Sequence, residues 1–339
     1  MSSSNSTIGT TRLGTDGPVV GVQGLGCMGM SEFYGPTDTA EALATLERAL
    51  ELGVTLFDTA DIYGSGANEE LIGPFVRAHR EQVVLATKFS IERRADDPHY
   101  RGIRNDPAYI RQAVDASLRR LGVDVIDVYY MHRRDPQVPL AESVGAMGEL
   151  VAAGKVRHLG LSEVTGPELR EAHAVHPIAA LQSEWSLFAR GVERSAVPAA
   201  AELGVALVPY SPLGRGFLTG SFDAGRLAAD DYRRHLPQFT GDNAAGNDEL
   251  IAPVRRIAAG RGVTPAQVAL AWVQQRAEVH GLSVVPIPGT RKRERLAENV
   301  AATGLRLDKE ELAELEPIAG RVAGDRYADM SSTAEAREL

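Results

Sequence analysis

The chain carries the sequence FDTADIY at residues 57–63, directly after the short apolar run Gly53 to Leu56. Such a run is typical of a buried strand. It ends on the carboxylate of Asp58, and Tyr63 follows in the next loop. A strand that ends in ionisable side chains indicates chemistry at its carboxyl end. This interpretation depends on whether other strands end in matching groups.

The pattern of a strand followed by a helix recurs along the chain. Apolar runs predict strands, and apolar residues at helical spacing, several segments closing with glycine, predict helices between them. The predicted strands are Val19–Cys27, Val54–Thr59, Val83–Lys88, Val125–His132, Val156–Ser162, Ala179–Glu184, Val205–Ser211 and Ser283–Pro288. Eight such units without a break in composition predict the α/β class and a (β/α)8 TIM barrel.

The predicted barrel carries additions at both ends and after its seventh strand. They are a β-hairpin around Thr15–Gly17 and a long loop from Gly214 to Asn247. Two helices, Leu250–Ala259 and Pro265–Arg276, follow this loop, one more than the repeat requires, and another helix is predicted at Lys309–Ile318. We expect residues 1–7 to be disordered and residues 8–320 to form one domain. Residues 321–339 form a predicted C-terminal tail, which either folds over the barrel mouth or is loose.

Composition narrows the class of protein. The net charge of -9 argues against a nucleic-acid partner and against an anionic membrane surface. The single cysteine, Cys27, excludes an intramolecular disulfide framework and fits a reducing compartment. The first residues lack an apolar signal core, and no apolar run is long enough to span a bilayer. We therefore expect a soluble, cytoplasmic protein with no membrane or nucleic-acid partner.

One motif favours a different fold. Residues 24–29, GLGCMG, match the G-x-G-x-x-G fingerprint of dinucleotide-binding Rossmann folds, and Asp58 ends the next strand. That fingerprint requires a helix that begins at once on the last glycine. Residues 30–36 instead have the composition of a loop, and Asp58 lies further along the chain than a ribose-binding acid does. The glycines are better explained by close approach of backbone at the barrel mouth.

The carboxyl ends of barrel strands carry the chemistry of barrel enzymes. Here three consecutive strands end at Asp58, Lys88 and His132, with Tyr63 on the first of the loops. Each residue alone is more often structural, but the combination suits carbonyl reduction, in which hydride reaches carbon while Tyr63 protonates oxygen. We expect Lys88, held by Asp58, to lower the pKa of the phenol, and His132 to orient the carbonyl. No side chain supplies hydride, so a nicotinamide cofactor is required.

A basic cluster follows the eighth predicted strand. Arg291, Lys292, Arg293 and Arg295 lie at the start of a predicted helix, where cations oppose the helix dipole. One interpretation is a solvated turn balanced by neighbouring glutamates. The other is an anion site at a position where barrels commonly bind phosphate, and four bases for one anion favour the 2′-phosphate of NADPH.

The chain resembles an aldo-keto reductase from about Leu13 to Gly320. The blocks FDTADIYGSGANEELIG, LATKFS, VYYMHRRD, GKVRHLGLSE, LQSEWSLF, YSPLGRGFLTG and PGTRKRERLAENV carry this resemblance in the family's order. It implies that Asp58, Tyr63, Lys88 and His132 form a catalytic tetrad that reduces an aldehyde or ketone with NADPH. The implied cofactor contacts are Met28, Ser162, Gln182, Tyr210, Ser211, Leu213, Gly214, Gly289, Thr290, Arg291, Arg295, Glu298 and Asn299.

Two departures from the family pattern put cofactor contacts in doubt. Glu163 stands where many members have asparagine, and Gly289 stands where many have lysine. Together with GLGCMGMSEFYG near the start, the pattern is similar to a branch of bacterial and plant reductases that resembles potassium-channel β subunits. That branch often forms oligomers, so a homo-oligomer is an open expectation.

Two rival functions stay open at this point. A metal-dependent hydrolase could use Asp58, Asp61 and His132, but the first strand has no His-x-His and no second histidine completes a metal site. We therefore expect no metal. The other rival is a regulatory protein that binds NADPH and turns over slowly, which the intact set of four residues argues against.

Overall fold

The structure is a computed structural model that describes residues 7–33, 35, 37–94, 96–223, 225, 227–228 and 231–338. Its strands are β1 (Thr10–Arg12), β2 (Val19–Gly21), β3 (Leu25–Gly26), β4 (Leu56–Asp58), β5 (Val84–Phe89), β6 (Ile91–Arg94), β7 (Asp97–Ile103), β8 (Ile126–Met131), β9 (Val156–Ser162), β10 (Ile178–Glu184) and β11 (Ala206–Tyr210). The disorder expected for residues 1–7 falls, except for Thr7, outside the described residues.

The helices alternate with the strands through most of the chain. They are α1 (Thr39–Glu51), α2 (Ala67–Ala78), α3 (Pro107–Leu121), α4 (Leu140–Ala152), α5 (Gly166–Val175), α6 (Ala196–Leu203), α7 (Gly241–Leu250), α8 (Ala252–Arg261), α9 (Pro265–His280), α10 (Arg293–Ala301), α11 (Lys309–Leu315) and α12 (Ala334–Arg337). Local sequence explains many boundaries: Thr165 and Thr264 begin α5 and α9 with capping boxes, and Gly122 ends α3 in a left-handed conformation.

Seven strands form one parallel sheet in the order β11-β10-β9-β8-β5-β4-β3. The segment after α9 closes this sheet, since Val284 bridges Leu207 of β11 and Gly289 bridges Gly26 of β3, both in parallel. The predicted (β/α)8 barrel is thereby confirmed.

The eighth predicted strand, Ser283–Pro288, is present only as isolated bridges. On one side Val285 and Ile287 donate backbone hydrogen bonds to β11. On the other side the alternate positions are Pro286 and Pro288, which have no N–H, so Pro286 only accepts a bond from Gly24. Two prolines on the β3 side therefore prevent a continuous ladder.

The first predicted strand, Val19–Cys27, is two strands that belong to different sheets. β2 pairs with β1 in an antiparallel hairpin, as the turn signal predicts, and β3 joins the barrel. An antiparallel pair, β6 with β7, extends the loop after β5 and was not predicted. The apolar pattern indicates which residues are buried but not which strand each segment pairs with. It therefore cannot show that one apolar run divides between two sheets, or that a loop forms an antiparallel pair.

The barrel strands are buried on both faces. One face fills the lumen with Leu56, Ala86, Val128, Ala180 and Val208, and the hairpin residues Leu13 and Val20 pack into the same cluster. The other face packs against the helices. Gly160 makes room inside the lumen, because a Cβ there would lie 2.3 Å from the ring of Tyr130.

The GLGCMG stretch does not form a Rossmann phosphate loop. A short 3-10 turn, Met28–Met30, follows it, and the next helix begins only at Thr39. A Cβ on Gly26 would lie 3.0 Å from the carbonyl oxygen of Ile287, so the glycine permits close packing of the two chain segments. Within the described ranges, no helix combines the length and the apolar composition needed to cross a membrane.

Candidate active site

The parallel register brings the predicted catalytic side chains to one end of the barrel. β4 ends at Asp58, Lys88 lies in β5 and pairs with Tyr130 of β8, and His132 directly follows β8. Tyr63 begins a 3-10 turn between β4 and α2. The four residues, which come from three separate stretches of the sequence, therefore surround a single space at the carboxyl ends of the strands.

Lys88 and Asp58 form a buried ion pair. The Nζ of Lys88 lies 2.5 Å from Oδ1 of Asp58 and donates a second bond to the carbonyl of Thr59 at 2.8 Å. The other carboxylate oxygen of Asp58 accepts a bond from Nε2 of Gln182 at 2.8 Å. Lys88 is fully buried, and burial lowers its pKa although Asp58 opposes this effect. The pair is thus held in one geometry by residues of β4, β5 and β10.

Tyr63 lies above this pair and beside His132. The Nζ of Lys88 is 5.3 Å from the centre of the Tyr63 ring, and the rings of Tyr63 and His132 meet edge to face with centres 6.1 Å apart. Both side chains are 8% exposed, so each keeps a small surface toward the opening. The phenol, the imidazole and the ion pair can therefore act on one small ligand.

The protonation of Tyr63 differs from the prediction. Burial raises the pKa of Tyr63 well above its usual value, and the charge of Asp58 raises it further. The main opposing charge is that of Arg133, not that of Lys88. The expectation that Lys88 lowers the pKa of this phenol is wrong, because Asp58 offsets the charge of Lys88 at 2.5 Å and desolvation then decides the balance.

His132 is neutral at physiological pH. Burial lowers its pKa well below the usual range, and the positive charges of Arg133 and Lys88 act in the same direction. Its Nδ1 is buried and has no hydrogen-bond partner in the described part of the chain. A neutral imidazole can donate one hydrogen bond to a carbonyl oxygen, but it holds no second proton to transfer.

Ser162 and Gln182, both expected to bind the cofactor, lie side by side on β9 and β10. They are register partners, and both are buried. Gln182 already donates to Asp58, which leaves its amide oxygen as an acceptor. The hydroxyl of Ser162 accepts a bond from Nη1 of Arg133 at 3.4 Å.

The structure explains why a glutamate, rather than the asparagine of many family members, stands at position 163. Its carboxylate accepts bonds from the hydroxyl of Tyr210 at 2.8 Å and from the guanidinium of Arg326 at 3.1 Å. Burial alone would raise its pKa, but these contacts, those with Arg326 foremost, lower the pKa of Glu163 to about 2. Glu163 therefore fixes Tyr210 and binds the C-terminal tail.

The C-terminal tail folds over the barrel mouth. Arg326 bridges Glu163 and Glu184, and the hydroxyl of Tyr327 lies 3.1 Å from that of Tyr210. The guanidinium of Arg215 lies 4.7 Å from the centre of the Tyr327 ring. Of the two arrangements left open by the sequence, the structure thus shows the one in which the tail covers the ends of β9, β10 and β11.

The turn after β11 has an unusual backbone. Ser211, Gly214, Arg215 and Gly216 have φ of 49°, 54°, 53° and 100°, in the left-handed region that residues other than glycine rarely adopt. Leu213 lies within this turn, and its carbonyl accepts bonds from Gly216 and Leu218. Left-handed turns of this kind can aim successive N–H groups at an anion.

The predicted basic cluster is divided among three roles. Arg293 pairs with Glu41 at 2.9 Å, and Arg291 donates to the carbonyls of Gly29 and Gly35, each at 3.1 Å. Arg295, in the first turn of α10, is exposed and forms no hydrogen bond or ion pair with any described residue. Lys292 is likewise exposed and forms no ion pair with any described residue, so the hypothesis of four bases around one anion loses Arg293, which Glu41 neutralises.

The remaining predicted cofactor residues lie around the same edge. Met28 packs against the cluster of Ala60, Ile62 and Tyr63, Gly289 contacts Gly26, and Asn299 is buried in α10. Thr290 is hydrogen-bonded to Lys292, and the backbone of Glu298 accepts a bond from Gln267. In the portion of the chain described, no group of three potential metal ligands converges.

Sequence reasoning missed four residues at this site. Arg133, Arg215, Arg326 and Tyr327 reach the mouth from three different segments, and all but Tyr327 are at most 9% exposed. The signal for Arg133 was its position directly after His132 at a strand end. The tail residues gave no local signal, because only the fold brings them to the barrel.

Comparisons with known proteins place the chain among reductases of this fold. The aldo/keto reductase family matches residues 24–319. A glycerol dehydrogenase from Gluconobacter oxydans is 27% identical, with 94% of this chain and 97% of that chain covered and a TM-score of 0.81. An aldo-keto reductase from Bacillus halodurans in its holo form is 25% identical (95% and 100% covered, TM-score 0.73).

A third similar structure, an aldo-keto reductase from Klebsiella pneumoniae, was solved in complex with NADP and acetate. It is 27% identical, with 94% of this chain and 99% of that chain covered and a TM-score of 0.70. The resemblance inferred from the sequence is thereby confirmed. Because the family match spans most of the chain, this protein belongs to the aldo/keto reductase family of oxidoreductases.

Proposed function

We propose that this protein reduces aldehydes or ketones to alcohols with NADPH, and that Tyr63 donates the proton. The observation that carries the proposal is the arrangement of a protonated phenol and a neutral imidazole over the buried Lys88–Asp58 pair. Glycerol dehydrogenase activity and NADP binding in similar proteins support the reaction class and the cofactor.

The residues at the mouth fit a dinucleotide. Ser162 and the amide oxygen of Gln182 offer polar contacts for a carboxamide, and the left-handed turn from Ser211 to Gly216 offers backbone N–H groups for a pyrophosphate. Arg295, exposed and without an ion-pair partner among the described residues, suits a 2′-phosphate. When bound, the cofactor would supply the hydride that the side chains lack.

The four predicted catalytic residues then have distinct tasks. His132 donates one hydrogen bond to the carbonyl oxygen and orients it. Tyr63, whose raised pKa keeps it protonated, donates the proton that the oxygen acquires as the carbonyl is reduced. Lys88 and Asp58 fix the floor of the pocket and place a hydrogen-bonded cation under the phenol. The burial of all four residues limits their contact with water.

The test is the variant Tyr63→Phe, assayed by the loss of NADPH absorbance with a panel of aldehydes and ketones. We expect kcat to fall at least about 10²-fold with little change in NADPH affinity, since only the proton donor is removed. Tyr129→Phe is the matched control, because Tyr129 is also buried and its hydroxyl has no described partner. Unchanged turnover in Tyr63→Phe would refute the assignment, and single-turnover hydride transfer would separate an enzyme from a regulatory protein with slow turnover.

A further inference from the structure

Arg133 is a buried cation at the mouth of the site. It directly follows His132 and is only 9% exposed. Its Nη1 donates to the carbonyl of His132 at 2.7 Å and to the hydroxyl of Ser162 at 3.4 Å. It forms no ion pair with a carboxylate in the part of the chain that the structure describes.

The other buried charges of the site are balanced. Three carboxylates face three cations in the pairs Asp58–Lys88 at 2.5 Å, Glu184–Arg215 at 2.8 Å and Glu163–Arg326 at 3.1 Å. Arg133 is a fourth cation with no carboxylate of its own. Glu163 acts on it electrostatically but is engaged by Arg326. A desolvated guanidinium without a counter-charge is costly, so the site favours an anion supplied from outside.

Two donor atoms of Arg133 remain available to a ligand. Nε and Nη2 donate to no described residue. Because neither atom is completely buried, both can be reached from the opening. Arg133 directly follows His132 and donates to its carbonyl, and the ring of His132 meets that of Tyr63 edge to face. An anion held by Arg133 would therefore lie close to His132 and Tyr63.

We infer that Arg133 binds a carboxylate on the substrate, so that the preferred substrates are aldehydes or ketones that carry an acid group. This inference rests on the proposed carbonyl reduction and names its substrate class. A guanidinium presents parallel N–H donors that match the two oxygens of a carboxylate. The alternative role is structural, in which Arg133 only positions His132 and Ser162.

The experiment compares two aldehydes of similar shape, para-carboxybenzaldehyde and the neutral para-formylbenzamide. We expect the wild-type enzyme to show at least about 10-fold higher kcat/KM for the acid. In Arg133→Met, kcat/KM for the acid should fall about 10- to 100-fold, the range expected for a charge-assisted hydrogen bond, and that for the amide should fall far less. Arg133→Lys should recover part of the preference for the acid, because lysine restores the positive charge but not the two parallel N–H donors of the guanidinium.

The control is Arg134→Met, because the neighbouring Arg134 donates to the carbonyl of Val138 and lies toward Glu168 instead. Equal loss for both aldehydes in Arg133→Met, or no wild-type preference for the acid, would overturn the inference in favour of a structural role. If Arg133→Met does not fold, the wild-type preference and inhibition by benzoate but not benzamide decide the question.

Failure of the proposed function has a separate signature. If the wild-type protein reduces neither aldehyde, nor any other carbonyl compound, carbonyl reduction is refuted. The anion site is then tested by thermal shift with benzoate. Stabilisation of the wild type but not of Arg133→Met would support a carboxylate site at Arg133, and no stabilisation would overturn it.

Discussion

The variant Glu163→Gln tests how the C-terminal tail is held over the barrel. The carboxylate of Glu163 accepts bonds from Arg326, from the hydroxyl of Tyr210 and from the backbone N–H of Ala334 at 3.2 Å. Glutamine keeps the shape of the side chain but removes its charge and replaces one acceptor oxygen with a donor. Arg326 would then be left with Glu184, which it shares with Arg215, and with the more distant Glu335 at 3.5 Å.

The magnitude follows from the pKa of Glu163. The carboxyl is lowered from 4.5 to about 2 in the folded protein, against the effect of burial. That lowering of the pKa corresponds to about 3–4 kcal/mol, since each pKa unit is about 1.4 kcal/mol. Removal of one partner from a buried ion pair costs about 3–5 kcal/mol, which is consistent. Because the folded pKa is depressed, this stabilisation is present above pH 4.5 and is lost as pH falls towards 2.

The assay is urea unfolding of the wild type and of Glu163→Gln at pH 7 and pH 3, with limited trypsin digestion to detect release of the tail. We expect the variant to be less stable by about 3 kcal/mol at pH 7 and by about 1 kcal/mol at pH 3, where the Glu163 carboxylate is closer to its own titration. Faster cleavage after Arg326 should accompany the loss at pH 7, because the tail spends more time undocked.

The control is Glu278→Gln, which removes an ion pair of 2.6 Å between exposed side chains, Glu278 and Arg306. No measurable change is expected there, since solvent screens such pairs. If Glu163→Gln and Glu278→Gln unfold at the same urea concentration and lose the tail at the same rate, the buried pair does not hold the tail. A difference that is independent of pH would show that the charge of Glu163 is not responsible.

Three further predictions concern the site itself. Because the pKa of Tyr63 is raised, the protonated phenol persists in alkaline solution, so kcat for reduction should fall only above about pH 10; a midpoint near pH 8 would contradict this assignment. Asp58→Asn leaves Lys88 buried without its counter-charge, so the pKa of Lys88 should fall further. When kcat is measured across pH, it should be at least about 10-fold lower than in the wild type at pH 7 and should recover partly at lower pH, where Lys88 regains its proton. Arg295→Ala should weaken NADPH about 10-fold in a fluorescence titration and NADH far less, since only NADPH carries a 2′-phosphate; equal weakening would mean that Arg295 does not bind that group.

The sequence alone was sufficient to predict the barrel and the group of four residues. Parallel strands that are buried on both faces are visible in the sequence as short apolar runs. Their carboxyl ends meet at one edge of the barrel, independently of the conformation of the loops. Asp58, Lys88 and His132 could therefore be placed together from their positions in the pattern. Local signals also predicted the N-terminal hairpin and the glycines that end several helices, because those depend on neighbouring residues only.

The tertiary structure decided everything that depends on partners distant in sequence. Glu163 gains its role from Arg326 in the tail, and no local pattern encodes a contact across such a separation. The direction of the pKa shift of Tyr63 also required the fold, since burial and the pairing of Lys88 with Asp58 outweigh the simple proximity of a lysine. Residue types at strand ends thus determine which chemistry is available, whereas desolvation and the pairing of charges, which exist only in the folded chain, determine its protonation state and its counter-ions.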